Sequence, residues 1–190
     1  MSDVIKWNEK MIARAISIQL LNRKCVVLVP NCNWTGSECD VLGVTNDLRI
    51  IDVEVKISRA DFKADAKKDK WWHRLTWNEK QELRLDKEGM FSAKVALQHP
   101  RKVWKHYYAM PKDIWKPELL EFMPSSRSGI LLIERGLPPN SPLIIRCERK
   151  ATPNKDAQRV LPEQAIDIAR LANIRMWEAF KDLEKIKVAA

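Results

Sequence analysis

Two stretches written almost back to back, CDVLGVT from Cys39 to Thr45 and LRIIDVEVKIS from Leu48 to Ser58, constrain this chain more than any other segment. A strand turns successive side chains to opposite faces, so Asp52, Glu54 and Lys56 project together while Ile51, Val53, Val55 and Ile57 take the other side. A sheet with one wet face buries its aliphatic row and exposes its polar one. Here the polar row is two carboxylates and a lysine set among β-branched residues typical of a strand covered on both faces. Charges in that setting need a partner.

Magnesium suits such a row, because it is a hard ion that prefers oxygen ligands and is commonly held by one or two carboxylates together with water and a substrate phosphate. Lys56 beside it would ease deprotonation of a water attacking phosphorus and offset charge developing in the transition state. Asp40 on the first strand can join Glu54 only in one register, which sets Leu42 opposite Asp52 and Val44 opposite Ile50. The turn must then hold an odd number of residues, either Asn46 to Leu48 or a longer loop from Thr45 to Arg49, with Asn46 and Asp47 tolerant of left-handed backbone. A two-residue turn would send Asp40 to the wrong face.

Asp40, thirteen intervening residues and then Glu54-Val55-Lys56 resemble the PD-(D/E)xK nuclease superfamily, with Cys39 standing where a proline is usual. The continuation IDVEVKISRADFKAD and, more faintly, HYYAMP from His106 to Pro111 are similar to the MmcB-related DNA-repair nucleases within it. This resemblance implies a restriction-endonuclease-like α/β core, a mixed β-sheet flanked by helices. It also implies Mg²⁺ or Mn²⁺ held by Asp40, Glu54 and the main-chain carbonyl of Val55, with Lys56 positioning water. In these nucleases a first-helix glutamate often joins the metal site, and Glu9 fits that position. The activity implied is hydrolysis of DNA phosphodiester bonds in repair, recombination or phage DNA processing. The alternative is a catalytically inactive nuclease fold kept as a nucleic-acid- or protein-binding module, since fold does not establish activity. Nothing in the residues reads a 2′-hydroxyl, so RNA stays open as a substrate.

Charge bears on the partner. Lys and Arg number 34 against 25 Asp and Glu, a net charge of +9, which favours a polyanion because neutralising phosphates releases counterions. A solvated basic surface would look the same. The 190 residues suffice for a single domain. No run of about 18 apolar residues exists, so no membrane span is expected and the chain is placed in the cytoplasm. Four cysteines without a CxxC pair give no zinc or disulfide framework.

Before the hairpin, Trp7, Met11, Ala15 and Ile18 trace an apolar helical stripe, with Glu9 on the side of Ile12, Ala13 and Ile16. A glutamate in a first turn also suits the helix dipole on its own account. Lys24 to Val29 reads as a buried strand ended by Pro30. Glu38, two residues before Asp40, reads as a loop-edge charge with an extra ligand as the alternative, and Asp52 as a supporting or structural acid.

After the hairpin, Ser58 and Asp61 form a capping pattern that starts a helix at Arg59, bringing Ser58, Arg59 and helix N–H groups to where a phosphate would lie. Lys63, Lys67 and Lys70, and Arg74 beyond them, are the expected nucleic-acid contacts, although acids at this spacing also make ordinary helical ion pairs. Residues 71–105 read as an insertion rich in tryptophan and cations, with a helix from Trp77 to Glu88 opened by Thr76 and Glu79 and stopped at Gly89. Its rings could stack on bases or pack in a core. Three strands follow, His106 to Met110, Ile130 to Glu134 and Leu143 to Cys147, with His106 read as a packing residue rather than a base. A polar connection from Arg149 to Arg159 leads to a long helix over about 162–188, with Ile168, Leu171, Ile174 or Met176, Leu183 and Ile186 on its apolar side, which covers the sheet or pairs with a second subunit in a homodimer.

Overall fold

The hairpin sits at the middle of a six-stranded mixed sheet. The computed structural model describes residues 6–83, 93–136 and 141–188. Its main strands are β1 (Cys25–Cys32), β2 (Cys39–Thr45), β3 (Ile50–Val55), β6 (Val103–Pro111), β7 (Gly129–Glu134) and β8 (Ile144–Arg149), in the order β1-β2-β3-β6-β7-β8. β3, β6 and β7 run parallel to one another and the remaining pairs are antiparallel. β4 (Trp72–Arg74) and β5 (Lys94–Ala96) form a separate two-stranded ladder. The helices are α1 (Glu9–Ile16), α2 (Arg59–Ala64), α3 (Trp77–Glu82) and α4 (Pro162–Val188). The class is α/β, a mixed sheet flanked by helices.

The register of β2 on β3 pairs Leu42 with Asp52 and Val44 with Ile50. The Thr45 N–H donates to the Arg49 carbonyl at 2.9 Å, which closes a three-residue turn over Asn46, Asp47 and Leu48. Leu48, rather than Asn46 or Asp47, takes the left-handed backbone (φ 60°). Asp47 is occupied differently, accepting from the Thr45 hydroxyl at 2.6 Å and from Arg49 Nε at 3.1 Å.

One face of the sheet presents Ile51, Val53 and Val55, and α1 lies on it with Ile12 and Ile16. Of the expected stripe Trp7, Met11, Ala15 and Ile18, Ala15 is buried and Trp7 packs on the same cluster, while Ile18 is exposed; Ile12 and Ile16 centre the contact, and a π-helical turn over Ser17–Leu21 lets Leu21 reach the core. α1 is opened by Asn8, whose side chain accepts the Met11 N–H at 2.8 Å. On the opposite face two clusters sit side by side: Leu42, Val44 and Ile50 under Ala165 and Ile168 of α4, and Tyr108, Ile130 and Leu132 under Phe62, Trp71 and Leu119. Asp52 and Glu54 fall on this second face, beside His106 and Tyr108 of β6.

Several boundaries differ from the sequence reading. β1 continues through Pro30, which an edge strand tolerates because one side needs no ladder partner. The lysine-bearing helix after Ser58 stops at Ala64 and gives way to tight turns over Asp65–Lys67 and Asp69–Trp71. The insertion divides: Trp71 belongs to the core, Trp104 is half-buried, and Trp72 and Trp77 are exposed. α3 carries the full Thr76–Glu79 capping box, and the continuation toward Glu88 and Gly89 lies outside the described residues. The connection after Arg149 is pinned rather than loose, since Asn154 N–H donates to the Trp104 carbonyl and Val160 N–H to that of Leu48, both at 2.7 Å. Only the first part of α4 packs on the sheet; Leu171, Ile174, Met176 and Leu183 are exposed, and the side chain of Ile186 lies outside the described residues.

Gly129 begins β7 where the chain has no room for a methyl group. A Cβ there would press into the Tyr107 ring and lie 2.7 Å from the Ala151 nitrogen. Gly129→Ala is expected to cost about 1–3 kcal/mol through overpacking against backbone that cannot yield, read as a lower midpoint in urea with an unchanged slope.

Candidate functional site

The polar row of β3 ends in a buried ion cluster. Asp52, Glu54 and Lys56 are each at most 2% exposed, and so is Asp65 from the turn after α2. Glu54 is gripped from two sides: Oε1 accepts from Lys70 Nζ at 2.6 Å, while Oε2 lies 3.3 Å from Lys56 Nζ and 3.1 Å from Lys68 Nζ. Asp65 is the second anchor, with Oδ1 at 3.0 Å from Lys56 and 2.9 Å from Lys68. Its Oδ2 accepts from the Tyr108 hydroxyl at 2.6 Å and from the Trp71 indole at 3.0 Å. Lys56 also approaches Asp61 at 3.7 Å. The buried carboxylates of Glu54 and Asp65 thus meet three ammonium groups, those of Lys56 and Lys70 buried and that of Lys68 exposed.

Burial alone would raise the carboxyl pKa values here, and it does so wherever the lysines are distant. For Asp65 the charges of Lys70 and Lys56, with two hydrogen bonds, outweigh burial and hold it well below the usual carboxylate range. Glu54 is lowered for the same reason, burial being overcome chiefly by Lys70. Lys70 and Lys68 are both raised, since neighbouring carboxylates outweigh burial. Asp52 goes the other way, pushed up to about 7 by burial, with Lys70 opposing and Glu54 and Asp40 adding repulsion. Its Oδ2 is 3.8 Å from Lys70 Nζ and 3.7 Å from His106 Nε2, and its Oδ1 has no hydrogen-bond partner among the described residues. His106 is fully desolvated and held well below its ordinary pKa, first by burial and then by Lys70, so the ring is neutral. It contacts Ser128 Oγ at 3.0 Å through Nδ1, which agrees with a packing role.

Asp40 stands at the end of the hairpin. Continuing the β2–β3 register by one pair sets it opposite Glu54, but the ladder stops at Val41 and Val53. In place of a strand partner, Asp40 Oδ2 accepts the Val55 N–H at 2.7 Å, leaving Oδ1 for another ligand. Burial raises the Asp40 pKa to about 6; the charges of Glu54 and, more weakly, Glu9 add to the rise, while the Val55 N–H and Lys56 oppose it. Glu9 is the exposed first residue of α1, near enough to be felt but not turned inward.

These facts decide how far the residues fit a divalent ion. Asp40 and Glu54 are two oxygen donors close enough to repel, and an ion would offset that repulsion, which adds to the larger effect of burial on Asp40. Two carboxylates with water are an ordinary magnesium ligand set. Among the described residues no three His, Cys, Asp or Glu side chains form a group arranged to hold a metal. Both oxygens of Glu54 are already taken by ammonium groups, of which Lys68 alone is largely exposed, at 47%. An ion sharing Glu54 with Asp40 would have to displace an ammonium group, and Lys68 is the exposed one.

The expected nucleic-acid contacts fare unevenly. Lys70 is buried on Glu54 and is corrected to a cluster residue, because the chain turns inward after Ala64 instead of continuing as a helix. Ser58 caps α2 by accepting the Asp61 N–H at 3.1 Å, and Arg59 donates to the carbonyls of Ile114 and Asp113, so both have structural tasks. Lys63 is exposed and stacks 3.9 Å from the centre of the Phe122 ring. Lys67 and Arg74 are exposed, Arg74 lying 3.3 Å from Asp69. Asp65 and Lys68, which in sequence belong to a mixed-charge helix of ordinary ion pairs and backbone-contacting lysines, instead carry the cluster. Asp65 lies three residues after Phe62, which is the helical spacing that shares a buried face, and that was the available signal.

Removing one ammonium leaves buried carboxylates uncompensated. Lys70→Met is expected to lower stability by about 3–5 kcal/mol, measured by denaturant unfolding. Asp40 behaves in the opposite sense. A carboxyl whose pKa is raised on folding binds protons more tightly in the native chain, so stability falls as pH climbs from about 4 through 6 and the loss is complete above that. Asp40→Asn keeps an acceptor for the Val55 N–H without the charge. Its thermal midpoint should exceed that of the wild type near pH 8, with the gain vanishing toward about pH 4.

No protein-family model matches this chain, and no curated protein matches it. A solved structure of a protein of unknown function from Silicibacter pomeroyi is similar at 19% identity, over 95% of this chain and 94% of that one, with a TM-score of 0.53. At that identity the likeness is one of fold.

Proposed function

We propose that this chain is a metal-dependent endonuclease that hydrolyses DNA phosphodiester bonds, built on a restriction-endonuclease-like core. The observation that carries the reading is the Asp40 carboxylate on the Val55 N–H, next to Glu54 and Lys56 at one end of the hairpin, with its pKa lifted first by burial and then by the charge of Glu54. The net charge of +9 supports a polyanionic substrate.

Mg²⁺ or Mn²⁺, held by Asp40, Glu54 and the Val55 carbonyl, would supply charge neutralisation at the phosphate and an acidified water. The protein side of the chemistry is positioning. Lys56 Nζ is fixed by Glu54 at 3.3 Å and Asp65 at 3.0 Å, with Asp61 at 3.7 Å, so its charge is held beside the proposed metal ligands without searching rotamers. Asp65, locked by Tyr108 and Trp71, holds that lysine in place. Glu9, at the mouth and exposed, is placed to orient water rather than to ligate. DNA repair, recombination and phage DNA processing are the settings such an activity suits.

A second reading is a nuclease-like fold that only binds nucleic acid. What favours it is the saturation of Glu54 by three ammonium groups, which gives the cluster a structural reason to exist. One experiment separates the two. Wild type, Asp40→Asn and Lys56→Ala are incubated with supercoiled, linear and branched DNA and with RNA, in Mg²⁺ or Mn²⁺ and in chelator, with folding checked in parallel. Metal-dependent cleavage that drops about 100-fold or more in folded Asp40→Asn supports the enzyme. Cleavage equal in all three proteins, or binding without cleavage, rejects it.

A further inference from the structure

α4 carries an apolar face on the side turned away from the sheet. At 3.6 residues per turn, Ala165, Ile168 and Ala172 form the side that packs on the strands. Ile166, Ile174 and Trp177 point away from that side and are 68%, 44% and 66% exposed. Phe180, 48% exposed, stands at their flank with its ring 5.9 Å from that of Trp177 in an edge-on arrangement. A surface helix normally turns charged and polar residues outward. Large apolar side chains gathered there mark an interaction surface.

The shape of this face names the kind of group it receives. Trp177, Phe180, Lys181 and Glu184 surround a hollow of about 510 Å³, with Leu183 at its edge. Their spacing of i, i+3, i+4 and i+7 is that of four residues on one helix that take a single side chain from a facing helix.

The pattern of residues then says which helix that is. A twofold axis at Trp177 that lays a second copy of α4 antiparallel on the first sets Ile174 of each copy opposite Phe180 of the other, over the hollow. The same axis sets Leu171 opposite Leu183 and Arg170 opposite Glu184, and from residue 170 to residue 184 no two like charges meet. A parallel pairing would instead set Arg170 against Arg170 and Glu184 against Glu184, which repel. Arg170 and Glu184 are both exposed, whereas Arg175 is paired with Glu178 and Lys185 with Asp182 along the helix itself.

We propose that two copies of this chain form a homodimer through the outer face of α4, antiparallel about Trp177, with Ile174 of each copy seated in the hollow of the other. The interface is isologous, so one patch serves as both knob and hole. Ile166, Ile174, Trp177 and Phe180 leave on the order of 500 Å² of apolar surface in water per copy, and a twofold pair covers roughly 1,000 Å², the lower end for a specific interface. The dimer is therefore reversible, with a dissociation constant of micromolar order. The proposal does not depend on the nuclease reading.

The test is sedimentation velocity of the full chain over about 1–100 μM, which spans a micromolar equilibrium. The chain should pass from monomer to dimer with rising concentration. Trp177→Glu, at an exposed position, should keep the thermal midpoint measured at low concentration and abolish the dimer across that range. Glu184→Arg sets like charges opposite at two symmetric places and should weaken association about tenfold, and adding Arg170→Glu to it should restore the wild-type affinity. A chain that stays monomeric throughout, a dimer indifferent to Trp177→Glu, or a double variant that is not restored overturns the proposal. Binding of a monomeric chain to phosphatidylglycerol vesicles, lost in Trp177→Glu, also overturns it and assigns the face to a lipid surface.

Discussion

Glu54 is held by three ammonium groups in a place where water barely reaches, and much of the molecule is arranged to make that tolerable. A lone carboxylate at this depth would cost several kcal/mol or take up a proton. The chain meets the constraint by bringing Lys56 from the same strand and Lys68 and Lys70 from the turns after α2, and by placing Asp65 as a counterweight to the lysines. The turns exist for this reason. A helix continued past Ala64 would have carried Lys68 and Lys70 along a surface, whereas the break at Asp65 folds them over β3 and drops Trp71 against Tyr108 and His106.

The same constraint separates interior from mouth. Asp65 and Glu54 are pulled below the ordinary carboxylate range by the lysines, while Asp40, at the frayed end of the β2–β3 ladder, is lifted above it. An acid held up in this way is a destabilising element at neutral pH, as is common where a site is kept ready for a ligand. Lys68 is the exposed member of the cluster, held between Glu54 and Asp65.

How much of this was legible in the sequence depends on whether the signal was local. The strand alternation from Ile50 to Lys56 gave the two faces, and the requirement that Asp40 approach Glu54 gave the pairing of Leu42 with Asp52 and an odd turn. Capping patterns placed the starts of α2 and α3. What stayed hidden was long-range. Lys70 read as a surface cation because nothing in DAKKDKWW announces a chain reversal, and its partner Glu54 lies sixteen residues away. Leu48 took the left-handed turn position because Asp47 is engaged by Thr45 and Arg49, a choice that propensity alone cannot see. The α1 stripe is legible in part: Trp7 and Ala15 face the core as their spacing suggests, whereas Ile18 gives way to Ile12, Ile16 and, after the π-helical turn, Leu21, a choice that the sheet makes. The exposed half of α4 shows the reverse problem: its apolar periodicity is real, yet it is Ala165, Ile168 and Ala172, near the start of the helix, that pack on the sheet.

The claim on which the functional account turns is that Glu54, though neutralised inside the fold, can share an ion with Asp40. Anomalous X-ray scattering from crystals soaked in Mn²⁺ measures this directly. The account predicts one peak in contact with the carboxylates of Asp40 and Glu54, with Lys68 withdrawn from Glu54 and Lys56 and Lys70 unmoved. No peak there at saturating Mn²⁺, with all three ammonium groups still on Glu54, would contradict it and leave the cluster a structural device.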